Sequence, residues 1–331
     1  MHDQHNSTFC LNNDYSTTRL VTREKPVIES KSGDAFETVL FLPESENRTG
    51  QGGLRTQGLF KRSLPDKPLI TVITVVLNGA KHLEETILSV LNQTYDNVEY
   101  IVIDGGSTDG TLGIIRKYEH AIDYWVSEKD EGIYDAMNKG IRLSYGFFIG
   151  ILNSDDTYYI YIIQDIAKTC KIYPKIDYVY GYINLKNKNG IIFGYRKTLQ
   201  SNEIYEKRYK ENPLSHQSCF ISLDVYKKIH FYNTLYKYCA DYDFNIRMIN
   251  CNYNGMNIKK QFGEYRVFGK SNTVFSFYDN YKIYKKNKLP LLIIYRIITL
   301  SIFKYYLKFI IPNKIIKYIK KYFKDTSYIY K

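Results

Sequence analysis

After Pro68 the chain reads Leu69-Ile-Thr-Val-Ile-Thr-Val-Val76-Leu-Asn78-Gly79, and this stretch decides the fold. An unbroken apolar and β-branched run predicts a strand covered on both faces, as in a parallel sheet. Asn78-Gly79 marks the turn that ends it. Beyond the turn, Leu83, Ile87, Val90 and Leu91 recur at helical spacing and predict an amphipathic helix over 81–93. A second apolar run, 98–103, stops at Asp104-Gly105-Gly106-Ser107. Thr108 or Asp109 is then placed to cap a helix with Leu112, Ile115 and Tyr118 inward. Strand–helix–strand–helix at this spacing means right-handed βαβ units and an α/β fold with a parallel sheet. Ligands of such sheets bind beyond the carboxyl ends of the strands. That rule selects Val76, Asn78 and the 104–107 loop as candidate binding elements.

The pattern continues downstream. A short strand is predicted at 124–127, a helix at 133–143, and a strand at 147–152 that runs into Asn153-Ser154-Asp155-Asp156. A hairpin is predicted over 181–195, turning at Asn187-Lys188-Asn189-Gly190. A loop holding Pro213, His216 and Gln217 precedes an apolar run at 218–223, and Asp241-Tyr-Asp243-Phe-Asn-Ile-Arg247 is helical in pattern. Residues 1–66 are weakly patterned. There, 39–42 predicts one short strand, and Gly50, Gly52, Gly53 and Gly58 predict a flexible loop. The expected organisation is an extension over 1–66, a main domain over 67–265 with halves 67–157 and 158–265, and a tail over 266–331.

The chain has 331 residues with 46 Lys+Arg against 34 Asp+Glu, and 44% are hydrophobic. A mainly disordered chain is excluded. Residues 281–331 hold 13 of the bases and a single acid, Asp325, so they carry the whole net charge of +12. A nucleic-acid enzyme would carry its charge on the main domain, so no nucleic-acid partner is expected. Cys10, Cys170, Cys219, Cys239 and Cys251 form no C-x-x-C pair, which argues against a disulfide scaffold or a zinc ribbon. The first 13 residues contain no apolar core of a secretory signal, and a cytoplasmic location is expected.

The tail is apolar over 289–311, but Arg296, Lys304 and Lys308 leave no uncharged run longer than seven residues, against about 18–20 needed to span a bilayer. On a helix these charges share one stripe opposite Leu291, Ile294, Ile298 and Ile302. After Pro312, Lys314, Lys317, Lys320, Lys321 and Lys324 repeat the scheme. Either the helix docks on the core, or it lies on an anionic inner-leaflet surface as a basic amphipathic helix; the second reading is favoured.

The strongest chemical signal is Asp155-Asp156 at the end of a buried strand. Adjacent carboxylates repel, and burial makes both worse, so a site that keeps them has a cation. Oxygen ligation suits Mg²⁺ or Mn²⁺, completed by substrate phosphates. Asp104 can accept from a ribose hydroxyl or a base N–H, and Gly105 and Gly106 let a ligand approach closely. Lys139 can meet a phosphate, with Asp135 and Asn138 on one helical face beside it. Asp241 suits a catalytic base that needs an ionised carboxylate near an acceptor hydroxyl. No P-loop and no G-x-G-x-x-G is present.

Together these residues resemble the inverting family 2 glycosyltransferases, which have the GT-A fold. The resemblance runs over about 68–250. It is carried by Ile-Thr-Val-Val-Leu-Asn78, by Ser89-Val-Leu-Asn-Gln93-Thr94-Tyr95, by Asp104-Gly-Gly-Ser107-Thr-Asp109-Gly-Thr111, by Asn153-Ser-Asp155-Asp156 and by Asp241-Tyr-Asp-Phe-Asn-Ile-Arg247. The Gly132-Ile-Tyr-Asp-Ala-Met-Asn-Lys-Gly140 wording is similar to the branch found in bacterial surface-polysaccharide clusters of the colanic-acid type. The resemblance implies a metal-dependent hexosyl transfer from a nucleoside-diphosphate sugar to a saccharide or lipid-linked saccharide acceptor. It implies Asp155 and Asp156 on the metal, and Asp241 as base. It also implies donor contacts from Val76, Asn78, Asp104, Gly105, Gly106, Ser107, Asp135, Asn138, Lys139 and Asp155, and acceptor-side roles for His216, Gln217, Asp243 and Arg247.

The sequence departs from the family in three places. Gly105 stands where a second acid is common, Asn153 opens the metal string, and Ala240 replaces the first acid of the E-D pair. The only Trp, Trp125, follows no Q-x-x-R-W element, so transfer of a single sugar is expected rather than processive synthesis. Two other classes fit the residues less well. A nucleotidyltransferase would want a richer phosphate loop than Leu77-Asn-Gly-Ala-Lys-His82, and a non-catalytic membrane-surface binder would not need Asp155, Asp156 and Asp241 together.

Overall fold

The computed structural model describes residues 8–267, 274–310 and 328–330. In chain order these form β1 (Arg48–Gly52), β2 (Ile70–Val76), α1 (Leu83–Leu91), β3 (Val98–Asp104), α2 (Thr111–Lys117), β4 (Tyr124–Glu128) and α3 (Ile133–Leu143). There follow β5 (Phe148–Asn153), β6 (Thr157–Tyr158), α4 (Ile162–Ile172), β7 (Tyr178–Lys186), β8 (Ile192–Arg196), α5 (Ser201–Lys207), β9 (Cys219–Ser222) and α6 (Leu223–Ile229). Last come α7 (Ala240–Asn250), β10 (Gly255–Arg266), α8 (Val274–Lys286), α9 (Leu291–Ile310) and β11 (Tyr328–Tyr330).

The strands join one sheet in the order β1-β4-β3-β2-β5-β9-β7-β10-β6, with β8 beside β7 and β11 beside β8. β4, β3, β2 and β5 are parallel neighbours, as the sequence predicts. β9 then runs antiparallel to both β5 and β7. Alternate β2 and β3 residues serve two apolar layers. Ile70, Val72, Tyr100 and Val102 pack with Leu83 and Ile87 of α1 and Ile162 and Ile166 of α4. Ile73, Val75, Ile101 and Ile103 pack with Met137 and Ile141 of α3 and Phe244 and Ile246 of α7. The chain order reverses at β2, with β3 on one side and β5 on the other, and such a switch point opens a crevice at the carboxyl edge.

The N-terminal segment corrects the sequence reading. Residues 39–42 form no strand; Val39 donates its N–H to the Arg142 carbonyl at 2.9 Å instead. The glycine-rich stretch supplies the strand, β1, which pairs antiparallel with β4 and closes one edge of the sheet. Its glycines serve packing: a Cβ on Gly52 would stand 2.6 Å from the Trp125 indole nitrogen. Two fully buried cations pin the segment. Arg55 pairs with buried Glu99 and donates to the Leu40 carbonyl at 3.0 Å and the Leu143 carbonyl at 3.1 Å. Lys61 donates to the Thr17 carbonyl and, at 2.9 Å, to the Leu20 carbonyl.

At the other end, Ile294 of α9 is buried, and Leu289, Ile297 and Ile298 pack against the core. Leu291, Leu292, Ile293, Tyr295, Leu300, Phe303 and Tyr306 are exposed. The helix therefore docks by a narrow edge and turns a broad apolar face outward. Leu291, expected on the same side as Ile294, falls on the exposed face. No described helix is long and apolar enough to cross a membrane. The side chains of Lys304 and Lys308, and Lys314, Lys317, Lys320, Lys321 and Lys324 altogether, lie outside the described residues.

Candidate functional site

The carboxyl ends of β2 and β3 are tied by the Gly105 N–H, which donates to the Val76 carbonyl at 2.9 Å. Asn78 adopts a left-handed φ of 53°, a conformation asparagine tolerates better than most residues. There its N–H donates to Ser107 Oγ at 2.7 Å, and its Oδ1 accepts the Thr108 N–H at 2.9 Å. Asp109 accepts from the Ala80 N–H at 3.1 Å and the Thr111 N–H at 3.0 Å. It thus clasps two loops together. Neither Thr108 nor Asp109 is the cap; the helix begins at Thr111 after Gly110. Asp104 is fully buried, and its carboxylate is engaged by the Ser107 N–H and hydroxyl and by the Ser127 hydroxyl at 2.6 Å. Its acceptor capacity is largely spent on holding the loop.

Across β2, the end of β5 places the two aspartates differently. Asp155 is half-buried. Burial raises its pKa, and Arg266 and His82 oppose the shift. Asp156 is fully buried; its Oδ1 accepts the Arg266 N–H at 2.9 Å and its Oδ2 has no partner. Burial and the Asp155 charge push its pKa well above the usual range, against the Arg266 N–H and the Gln217 and Asn153 side chains. The Arg266 guanidinium reaches the Asp155 carbonyl and Glu85 Oε2, each at 3.4 Å. Nearby, Lys186 pairs with Glu264 at 3.0 Å.

The acceptor half meets this edge through one turn of 3-10 helix, His216–Ser218. Its first two side chains face different acids. His216 Nδ1 lies 3.8 Å from Asp241 Oδ2, and the Gln217 side chain lies beside Asp156. Asp241, at the start of α7, also accepts from the Tyr134 hydroxyl at 2.9 Å and Asn212 Nδ2 at 3.0 Å. Burial acts to raise its pKa, but the His216 contact and the Tyr134 hydroxyl hold it below the usual value. The surroundings therefore favour the ionised form of the carboxylate.

Other residues singled out in the sequence are committed elsewhere. Asn138 exchanges two 2.9 Å hydrogen bonds with the Tyr232 backbone, joining α3 to the loop before α7. Asp243 is buried against Arg247 at 2.8 Å and Lys286 at 3.0 Å. Arg247 spends its remaining donors on the Ile229 and Phe231 carbonyls. α7 thus turns Asp241 and Asp243 to different sides. Lys139 pairs with Glu128 at 2.8 Å and Asp135 at 3.5 Å.

Sequence reasoning missed Tyr134, Asn212, His82 and Arg266. Tyr134 stood inside the quoted 132–140 motif. Arg266 carries no local signal, since its contact with Asp156 spans 110 positions.

Among the described residues, no three or more His, Cys, Asp or Glu side chains converge as a metal cage. The donor set still fits a hard cation that takes one or two carboxylates and completes its shell with phosphates and water. Asp155 is half-buried, and Asp156 Oδ2 is buried without a hydrogen-bond partner. Two polar atoms near these acids are likewise buried without partners, Asn153 Oδ1 and His82 Nδ1.

A family model described as Glycosyl transferase family 2 matches residues 71–229. A PGL/p-HBAD biosynthesis glycosyltransferase of Mycobacterium bovis is 31% identical over 188 residues, covering 54% of this chain and 69% of that protein. A glycosyltransferase of Rickettsia typhi is 33% identical over 194 residues, covering 53% of this chain and 57% of its own. Among solved structures, S. aureus TarS 1-349 in complex with UDP superposes with a TM-score of 0.51 at 20% identity, covering 71% of this chain and 70% of that one. The match spans 43% of a longer TarS chain. The mannosyltransferase PcManGT of Pyrobaculum calidifontis, in complex with GDP-Man and Mn²⁺, superposes with a TM-score of 0.50 at 16% identity, covering 71% and 69%. At these identities the structural matches speak for the fold alone.

Proposed function

This chain belongs to glycosyl transferase family 2, and from that premise we propose that it transfers a single sugar, with inversion, from a nucleoside-diphosphate sugar to a saccharide hydroxyl. One observation carries the reading: consecutive side chains of one turn, His216 and Gln217, reach toward Asp241 and Asp156. This juxtaposition supports a single site that takes the donor at the two aspartates and the acceptor at Asp241.

The acceptor hydroxyl attacks the anomeric carbon as its proton passes to the Asp241 carboxylate. The bond from that carbon to the diphosphate oxygen breaks, and its electron pair leaves with the nucleoside diphosphate. A single displacement inverts the anomeric centre. Tyr134 and Asn212 hold Asp241 in position, and binding both substrates in line supplies the rest of the advantage. Asp155, above Asp156, is the residue to hold Mg²⁺ or Mn²⁺, which would offset the charge developing on the leaving diphosphate.

The outward apolar face of α9 supports an acceptor on a lipid carrier and a cytoplasmic enzyme resting on an anionic inner leaflet. The 132–140 wording supports a place in bacterial surface-polysaccharide synthesis. Thermal shift with UDP, GDP, CDP and dTDP, each with Mn²⁺ and with EDTA, tests the donor reading. Stabilisation by one diphosphate that depends on metal is expected. No stabilisation by any of the four would overturn it.

A further inference from the structure

Gly105 needs no special backbone conformation, so its small size must answer to space. A Cβ there would stand 2.9 Å from Cγ of Asp130 and nearer still to its Oδ2. Asp130 lies in the loop between β4 and α3, 25 positions away in sequence, yet its carboxylate fills the volume that a side chain at 105 would occupy. Its Oδ1 accepts the Gly132 N–H at 2.9 Å, which fixes the group, and no described residue donates to Oδ2. The neighbouring Asp104 is engaged by Ser107 and Ser127.

We infer that Asp130 supplies, from a different strand end, the second carboxylate missing at position 105, and that its Oδ2 accepts an N–H or O–H of the donor's nucleoside. This rests on the donor reading above. Asp155 follows β5 on one side of β2, whereas Asp104, Gly105 and Asp130 stand at β3 and β4 on the other. A nucleoside diphosphate with its phosphates at Asp155 and lying across the β2 tip brings its nucleoside to Asp130. Nucleosides present hydroxyls and ring N–H groups, and a half-buried carboxylate with an open acceptor matches both.

Isothermal titration of the full chain with UDP, GDP, CDP and dTDP, in Mn²⁺, tests the assignment. Asp130→Asn keeps the shape and the acceptor for the Gly132 N–H but removes the charge. It is expected to weaken binding of the preferred diphosphate tenfold or more, about 1.4 kcal/mol, with an unchanged melting temperature. Gly105→Ala displaces the carboxylate and is expected to weaken binding similarly. In an Asp130→Ala background the same Gly105→Ala change no longer meets the carboxylate that stands nearest it, so the double variant is expected to bind as the single Asp130→Ala does. Where the preferred diphosphate is a ribonucleotide, repeating the series with its 2′-deoxy counterpart separates a 2′-hydroxyl contact, whose penalty disappears, from a base or 3′-hydroxyl contact, whose penalty persists. Wild-type binding with Asp130→Asn within twofold of it, or additive losses in the double variant, would overturn the assignment alone. Failure of the wild-type chain to bind any of the four overturns the donor reading instead.

Discussion

Replacing Arg55 by Met tests whether the N-terminal segment belongs to the fold. The side chain is fully buried and sits 4.8 Å from the ring centre of Tyr145. Met keeps much of the volume but removes the charge and every donor. Glu99 is left buried with only the Thr71 hydroxyl and the Tyr145 N–H, and the Leu40 and Leu143 carbonyls lose their guanidinium donor. Removing one partner of a buried ion pair costs about 3–5 kcal/mol, and the two carbonyls push toward the upper end of that range. Equilibrium unfolding in urea reads this directly through the single, buried Trp125, which packs against β1. The double variant Arg55→Met/Glu99→Gln removes both charges and should recover part of the loss. A cost below about 1 kcal/mol for Arg55→Met would refute the argument, because no partner would then be stranded.

Asp241→Asn should lower kcat/KM by about 10²–10⁴ with folding intact, as loss of a general base requires. Tyr134→Phe should cost less and move the acid limb of the pH profile upward, because it removes a hydrogen bond that favours ionised Asp241; an unmoved limb would refute Asp241 as the base. Burial pushes the Asp123 carboxyl up to about 7. Its native form thus binds a proton the unfolded chain releases near pH 4, so wild type should lose stability relative to Asp123→Asn as pH rises from about 4 to about 7; melting curves of both check the sign. Leu292 and Phe303 are 82% and 60% exposed on α9, so Leu292→Asp or Phe303→Asp should leave the melting temperature unchanged. Either should weaken binding to phosphatidylglycerol vesicles about tenfold or more, as loss of one large apolar contact implies, and unaltered pelleting would remove α9 from the membrane reading.

What the sequence disclosed depended on how local each signal was. β2, β3 and β5 are buried on both faces, so their composition alone marks them, and the helix expected at 133–143 has those bounds in the structure. β1 stayed hidden because its glycines, read as loop residues, are there to seat an indole. The carboxylates at strand ends were legible because a parallel sheet says where its ligands bind. Which of them face the crevice was not legible. Asp155 and Asp156 are adjacent, yet only the second is sealed beneath Arg266, a contact set by the return of β10. Helical pattern alone likewise gave no means to separate Asp241 from Asp243. Packing against Lys286 of α8 makes that choice.

β1 also has a bearing on handling. Without it, β4 would present unpaired backbone groups along one edge, and the Trp125 indole would lose the glycines packed against it. Such an edge is a template for pairing with another chain. A chain begun at residue 67 would keep the named crevice residues, yet it would strand Glu99 without Arg55 and leave this edge open to pairing. The glycine-rich strand thus acts as a guard against self-association, a duty that leaves no trace in any catalytic motif.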